Sequence, residues 1–502
     1  MSSKRSRPNE GAGAQASSDE AAAFLDADDA RHLLLRTGFA PRASEVSPYV
    51  GMTRAQAVAR LVGGARSEAL TPLPAWTAEV LPSRAQRSAW TPDERREAQR
   101  QRGARYDELR AWWLREMLVT PSPLTERMTL FWHNHFTSGE DKVPEPQLMA
   151  AQNALLRRNA LGSFATMLHA VAKDPAMLQY LDGAGNRKGR PNENFAREVM
   201  ELFTLGEGQY SQRDVAEAVR AYTGWTLDPD TLAFVSRADW HDDGEKTVLG
   251  QSGAFDGDQL LDILLAQPQT ARYVSAKLWR EFICGTPDDA QLASVAARFR
   301  ASGYDIGAAL DALLMTPAFW DDRNRGVLVS SPVEFIVGTM RCFDVAYGDT
   351  LPFARRSAAL GENLFYPPNV KGWPGGASWI NSSTLLERKQ FVEQLFRATE
   401  ARRPHPAAAP TKIAASMSQD AQNMQSAPNA MRRDALQGGM RFDLDGWLAR
   451  FGLTADATPG LSAQLQMQHA VLPLAPVDAI AAGSSAGAYL QALLMDPVYQ
   501  LK

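Results

Sequence analysis

The chain has 502 residues, which is enough for two or more domains or for one large helical body with additions. Hydrophobic residues make up 45% and charged residues 22%, as in an ordinary globular protein. The formal net charge of −4 provides no basic field for nucleic acid or an anionic membrane, so nucleic-acid binding is not expected. The two cysteines form no CxxC pair and are too few for a cysteine-rich zinc site.

The amino-terminal residues are small and polar, and they predict a disordered tail over residues 1–20. Basic residues occur in this tail, but no apolar segment follows them, so no secretory signal is visible and a cytoplasmic location is expected. No stretch approaches the ~18 consecutive apolar residues of a membrane span, so no transmembrane segment is expected.

From residue 21 onward the apolar residues recur mostly at helical spacing. The segment "DADDARHLLLRTGF" has an acidic first turn, an apolar face and Gly38 as a stop, and "TRAQAVARLVGG" has Thr53 as the expected N-cap. A long helix is predicted from Thr91 to Val119. Alternating β-branched runs are scarce, so we predict a mainly α fold, a large helical body with long irregular loops and few or no strands.

Composition divides the remaining chain into three parts. The main helical domain is predicted over residues 21–401. Residues 402–439 are rich in Ala, Pro, Ser, Gln and Met and predict a flexible low-complexity insertion. A C-terminal helical part over residues 440–502 is expected to pack on the main domain.

The motif "FWHNHF" carries His133 and His135, two of only seven histidines. Residues two apart on an ideal helix point ~200° from each other, so both imidazoles can face one metal only if the backbone turns at Asn134. We therefore expect a helix end there, and His133 is slightly favoured over His135 as a metal ligand because it shares a face with Glu126. The alternative is one packed and one exposed histidine beside an aromatic cluster.

The second motif, "GRPNENFAREVMELFTLGEG", places Asn194, Glu198 and Glu201 within a ~60° stripe of an ideal helix. Arg197 is spaced to pair with Glu193 or Glu201. A carboxylate pair of this kind supplies metal ligands or acid–base groups, so Glu198, Glu201 and Arg197 are candidate catalytic groups and Asn194 a candidate ligand-binding group. The alternative is a solvated face with ordinary ion pairs.

The third motif, "HDDGEKTVLG", combines His241, Asp242 and Lys246 in a glycine-containing loop. His241 and Asp242 are candidate metal ligands and Lys246 is a candidate catalytic group, although hydrogen-bonding turn residues would also explain the aspartates. The "GEKT" sequence lacks the upstream glycine of a P-loop.

A fourth segment, "FYPPNVKGWPGGASWINSSTLLERK", has prolines and glycines that predict an irregular loop carrying Trp373 and Trp379. Their rings would stack on a sugar or another flat ligand if the loop walls a pocket. The alternative is a lid packed on the protein's own helices.

These four motifs, in this order, resemble a large bacterial family, the domain-of-unknown-function family numbered eighteen hundred. "DDARHLLLRTGF" and "SPVEFIVGTMR" are also similar to it, and the resemblance covers roughly Asp29 to Phe396 and the C-terminal end. The resemblance implies no particular activity. Many members look exported, and this sequence departs from them by lacking a visible signal.

Two functions of different classes follow. The first is a metal-dependent, hydrolase-like enzyme in which His133 or His135, Glu198 or Glu201, and His241 converge on a divalent metal whose identity the residues do not specify. With iron, the reaction would instead be an oxidation. The second is a non-catalytic helical binding or scaffold protein whose tryptophan loop holds a carbohydrate or a partner chain. There is no GxSxG or HExxH motif to favour a serine hydrolase or a zincin.

Overall fold

The computed structural model describes residues 21–400 and 439–502. Within them the chain is mainly α-helical, as predicted, with four three-residue strands. No helix in these ranges is long and apolar enough to cross a membrane. The predicted tail over residues 1–20, and the predicted insertion except for Gly439, lie outside the described residues.

The first half of the helical body ends at the amino-terminal side of the second sequence motif. Its helices are α1 (Ala27–Thr37), α2 (Ala43–Val46), α3 (Arg54–Gly63), α4 (Arg84–Ala89), α5 (Pro92–Val119), α6 (Pro123–His135), α7 (Pro146–Arg158), α8 (Phe164–Ala172) and α9 (Pro175–Tyr180). Side-chain oxygens of Asp26, Thr53 and Thr91 cap three of these helices, which confirms the N-cap predicted at Thr53.

The middle of the chain contains a change of helix type and two β-ribbons. The elements are α10 (Asn194–Glu198), a π-helix (Val199–Leu205), α11 (Gln212–Ala221), β1 (Trp225–Leu227), β2 (Phe234–Ser236), β3 (Lys246–Val248) and β4 (Gln251–Gly253). Both ribbons are antiparallel, with Thr226 opposite Val235 in one and Thr247 opposite Ser252 in the other.

The remaining helices complete the body. They are α12 (Gly257–Ala266), α13 (Pro268–Phe282), α14 (Asp289–Ala301), α15 (Ile306–Leu314), α16 (Pro317–Trp320), α17 (Pro332–Cys342), α18 (Leu351–Ala359), α19 (Ser382–Glu400), α20 (Leu444–Leu448), α21 (Leu461–Val471) and α22 (Ala486–Met495).

A single apolar core connects these helices, and three fully buried tryptophans lie in it: Trp113, Trp132 and Trp279. Helix α13 packs along the π-helix, and α6 packs on α7. The part of the chain after the insertion joins the same body, since α22 packs on α19 and isolated backbone bridges pair Val329 with Leu501 and Ala346 with Arg441.

Candidate functional site

The two histidines of the first motif lie at the C-terminal end of α6, which continues through His135 before ending at Phe136. Because the helix does not turn at Asn134, their side chains face different surroundings. The His133 ring lies among Trp113, Phe365 and Trp373, with centroid distances of 5.4–5.7 Å. Burial in this aromatic cage lowers the pKa of His133 to about 4.

Glu126, two turns before His133, belongs to a buried ion pair. Its carboxylate accepts hydrogen bonds from Arg157 at 2.6 and 2.8 Å and from the indole nitrogen of Trp113 at 2.9 Å. The polar group on this face of α6 therefore orients the aromatic cage around His133, and both Glu126 oxygens already have partners.

The His135 ring, unlike that of His133, forms hydrogen bonds with both of its nitrogens. Its Nδ1 lies 2.9 Å from the Lys277 ammonium, and its Nε2 lies 3.2 Å from the carbonyl oxygen of Phe203. An ammonium group can only donate, so Nδ1 accepts and Nε2–H donates. Burial and the Lys277 charge hold the pKa of His135 well below its usual range, consistent with this neutral form. Both ring nitrogens are thereby engaged within the protein.

The Phe203 carbonyl is available because Phe203 lies in the last turn of the helical segment, where carbonyls have no donor within the helix. Helix α10 passes into the π-helix at Val199, whose i→i+5 pattern is completed by the Gly206 amide donating to the Glu201 carbonyl at 3.0 Å. The π-helix is wider than an α-helix, so the angle between successive side chains is smaller in it. Glu201 therefore points in a different direction from the one that ideal α-helical spacing predicts relative to Asn194 and Glu198.

Glycine is required where the π-helix ends. Gly206 has a φ of +85°, and a Cβ atom there would lie 2.9 Å from the ring of Tyr273 on α13. The segment thus ends against α13, the helix that carries Lys277.

The two glutamates of the second motif have different environments. Glu201 accepts a hydrogen bond from the Tyr210 hydroxyl at 2.5 Å. Glu198 is partly buried, and burial together with the Glu201 charge raises its pKa, against a smaller opposing effect of Lys371 and Arg197. Arg197 pairs with Glu193 at 3.2 Å, one of its two predicted partners.

Tyr273 connects the glutamates to the buried lysine. Its ring centroid lies 5.3 Å from the Lys277 ammonium, and burial with the nearby Glu201 charge raises its pKa to about 12. Burial, and then the Arg280 charge, lowers the pKa of Lys277 to about 8. We define the π-helix cluster by its members, which are His135, Glu198, Glu201, Tyr210, Tyr273 and Lys277.

The tryptophan loop docks on the end of α6. The Asn134 side-chain oxygen accepts a hydrogen bond from the Trp373 amide at 2.7 Å. The charge of Lys371, in the same loop, opposes the rise in the pKa of Glu198. Trp373 and Trp379 are 5% and 7% exposed, so their rings are covered by the protein itself. The loop thus has the arrangement of a lid packed on its own helices, and ligand stacking by either ring would require the loop to move.

The third motif forms a separate group on α11. His241 Nδ1 donates to the Thr223 carbonyl at 2.8 Å. Asp242 pairs with Arg220 at 2.8 Å, and this hydrogen bond holds the pKa of Asp242 well below its usual range. Lys246 is buried in β3, where its ammonium donates to the Gly244 carbonyl at 3.1 Å.

The structure therefore brings together part of the predicted site. The first, second and fourth motifs meet around the end of α6, whereas His241, Asp242 and Lys246 contact α11, the residues just after it and their own loop. Asn194 donates to the Leu181 carbonyl at 3.1 Å and so ties α10 to the preceding loop. Among residues 21–400 and 439–502, no three His, Cys, Asp or Glu side chains are grouped so as to hold a metal ion.

Sequence reasoning missed Tyr210, Tyr273 and Lys277. The available signal was in "TARYVSAKLWREF", where Tyr273, Lys277 and Arg280 recur at intervals of four and three residues and so share one face of a helix. Nothing in this stretch alone indicates which element that face meets.

Comparison with known proteins identifies a family and no described relative. A family model described as a protein of unknown function (DUF1800) matches residues 32–501. No curated protein and no solved structure shows significant similarity to the chain.

Proposed function

The chain belongs to the DUF1800 family, whose description assigns no activity, and we propose that it is an enzyme of the hydrolase type whose reaction centre is the π-helix cluster. The observation that carries the proposal is the pair Glu198 and Glu201, two neighbouring carboxyl groups with unlike environments at the junction of α10 and the π-helix. A carboxyl group with a raised pKa beside a second carboxyl group is a feature of many acid–base catalytic sites.

The environments suggest a division of roles. Glu201 accepts a hydrogen bond from the Tyr210 hydroxyl, which orients its carboxylate, so it is the group that we assign to take a proton from an attacking water. Glu198 has a raised pKa and is the group that would return a proton to the leaving group. Tyr210 positions Glu201, and His135 positions Lys277, which contacts the ring of Tyr273.

A divalent metal remains part of the proposal. If the cluster holds a divalent metal, Glu198 and Glu201 would be its carboxylate ligands; both would then be ionised, and neither would be the proton donor or the general base. The chemistry such a metal supplies is a lowered pKa of bound water. Because both nitrogens of His135 are engaged, we propose no ligand role for it while those bonds hold.

The supporting experiment measures turnover and metal content on the same samples. Purified full-length protein is assayed with nitrophenyl ester, phosphate ester and glycoside substrates, with and without added Mg²⁺, Mn²⁺ or Zn²⁺. Glu201→Gln and Glu198→Gln are each expected to lower turnover about 100-fold or more, as for loss of a general acid or base. The control is Asp262→Asn, which changes an exposed carboxylate on α12 and should leave turnover unchanged.

Two results would contradict the proposal. One is turnover that survives both glutamine substitutions. The other is a protein that is folded, takes up no divalent metal and turns over none of the three substrate classes, which is the behaviour expected of the non-catalytic helical scaffold.

A further inference from the structure

Lys277 has hydrogen-bonding capacity that the described protein does not use. A lysine ammonium carries three N–H donors, and the hydrogen bond to His135 Nδ1 accounts for one of them. No carboxylate of residues 21–400 or 439–502 pairs with Lys277, although its side chain is largely enclosed and only partly exposed. Two donors are therefore left for solvent or for a ligand.

Other buried cations of this protein are compensated differently. Arg127, Arg157 and Lys502 each pair with a buried or partly buried glutamate. Arg36 has no carboxylate within salt-bridge distance, but it donates to three backbone carbonyls. Lys277 has a single neutral acceptor and is only partly buried, so its ammonium group stays accessible to an anion that would compensate its charge.

The neighbouring positive charge lies on the same face of α13. Tyr273, Lys277 and Arg280 occupy positions i, i+4 and i+7 of that helix, which places them in one row. Arg280 is exposed, and within the described ranges no carboxylate pairs with it. The Arg280 charge lowers the pKa of both Lys277 and Tyr273, because the three groups are close in space.

Glu201 is the opposing charge at one end of this row. The Glu201 charge raises the pKa of Tyr273, whereas the positive charge of Arg280 lowers the pKa of Lys277. A ligand with an anionic end would therefore be attracted to the end of the row at Lys277 and Arg280. The same ligand would direct the rest of its structure towards Tyr273 and Glu201.

We propose that Lys277 and Arg280 form an oxyanion-binding subsite, and that the natural substrate carries a phosphate or carboxylate group bound there. The inference rests on the proposed function, because it assigns a substrate class to the π-helix cluster. The lysine binds the anion as a point charge, and the exposed arginine adds a second donor group in a planar fork.

The test is isothermal titration calorimetry on the full-length protein with inorganic phosphate and, separately, with acetate. At least one of these anions is expected to bind the wild-type protein in the millimolar range, and the stronger of the two identifies the oxyanion. Lys277→Met should weaken that binding at least about tenfold, as for loss of a charge-assisted hydrogen bond. Arg280→Gln, an exposed substitution that leaves the core intact, should weaken it by a smaller factor.

The matched control is Arg272→Gln on the same helix, because Arg272 already pairs with Asp289 on α14 at 2.8 Å. This variant should bind the anion like the wild type. Circular dichroism of each variant verifies that it is folded. The proposal is overturned if the wild-type protein binds neither anion, or if the Lys277 and Arg280 variants bind as well as the Arg272 variant.

Failure of the subsite is distinguishable from failure of the proposed function. If the anion experiment fails while turnover of a neutral ester still depends on Glu198 and Glu201, the enzyme stands and only the substrate class is wrong. If anion binding depends on Lys277 and Arg280 but no substrate is turned over, the row on α13 is a binding site and the proposed reaction is wrong.

Discussion

Burial, rather than pairing, governs several ionisable side chains of this protein. Asp174 illustrates the case, because it is 5% exposed and has no cationic partner among the described residues. Its carboxyl group accepts hydrogen bonds from Gln152 at 2.8 Å and from the Met177 amide at 3.0 Å, as the N-cap of α9. Burial outweighs these bonds and raises the pKa of Asp174 to about 7.

This raised pKa predicts a pH-dependent effect of Asp174→Asn. The folded protein keeps the Asp174 proton up to a pH of about 7, whereas the unfolded chain releases it near pH 4, so folding loses stability as the pH rises between these values. The uncharged asparagine removes that loss and retains an N-cap oxygen. The variant should therefore gain stability relative to wild type on going from pH 5 to pH 8, by up to about 3 kcal/mol, because about two pH units separate pH 5 from the folded-state pKa of about 7.

Thermal or urea unfolding at pH 5 and pH 8 measures the difference. Asp305→Asn is the matched control, because Asp305 also caps a helix, α15, but is exposed. Its effect should not grow between the two pH values. An Asp174→Asn effect that is equal at both pH values would show that the buried carboxyl group does not titrate in this range.

At the scale of elements, the contact between the tryptophan loop and α6 depends on one glycine. Gly372 has a φ of +79°, and a Cβ atom there would lie 2.0 Å from the Asn134 side-chain oxygen and 2.7 Å from its carbonyl oxygen. This close approach lets Asn134 accept the Trp373 amide and so holds Trp373 against His133.

We predict that Gly372→Ala is much more destabilising than Gly375→Ala. Gly375 has a similar φ of +71°, but no atom lies within 4 Å of the Cβ position, so its substitution meets only the backbone penalty of about 1–2 kcal/mol. At Gly372 the added methyl group must also displace Asn134, which should cost roughly 1–3 kcal/mol more. Urea unfolding of the two variants measures this difference, and equal losses would mean that the loop does not dock as described.

The π-helix is the second element on which the site depends. We predict that deletion of Leu202 converts the segment into a regular α-helix, because a π-helix accommodates one residue more than the α-helix it replaces. The Phe203 carbonyl would then lose His135, and Glu201 would lose Tyr210. The expected result is nearly unchanged helical circular dichroism, with stability lowered by about 1–3 kcal/mol for the lost buried hydrogen bond.

Leu202→Ala is the control for the deletion, since it removes most of the side chain and keeps the register. The deletion should also abolish the turnover proposed for the π-helix cluster, whereas Leu202→Ala should retain it. A deletion variant with the turnover and stability of Leu202→Ala would show that the π-helical register is not needed.

At the scale of the whole molecule, the described residues on both sides of the predicted insertion belong to one folded body. Helix α19 ends at Glu400 before the insertion, and the chain after it returns through the bridge between Arg441 and Ala346. Arg388 of α19 also donates to the Gln500 side chain at 3.1 Å. The helices on the two sides of the insertion therefore stabilise each other.

We predict that limited proteolysis cuts within residues 402–439 first, because this composition lacks the apolar content needed to offset the entropy of ordering. The two fragments should elute together in size-exclusion chromatography under native conditions, since their helices share the core. They should separate only in denaturant. Earlier cleavage inside residues 21–400, or fragments that separate without denaturant, would contradict the prediction.

The amino-acid sequence by itself determined the fold class, the family and the N-cap at Thr53, and it singled out the polar motifs without determining which of them meet. These features follow from local spacing, capping chemistry and residue order, which are properties of short segments. Helical geometry also predicted that His133 and His135 face apart unless the backbone turns at Asn134, and the helix end that we expected there is absent because α6 continues through His135.

Only the tertiary structure decided which partners these residues meet. The π-helix changes the register at Glu201, and this change arises where Gly206 and Phe203 pack against α13 and α6. Lys277 is 142 positions from His135, so the contact between them depends on how α13 crosses the end of α6. No local pattern encodes such a crossing, because it is set by the packing of the whole core.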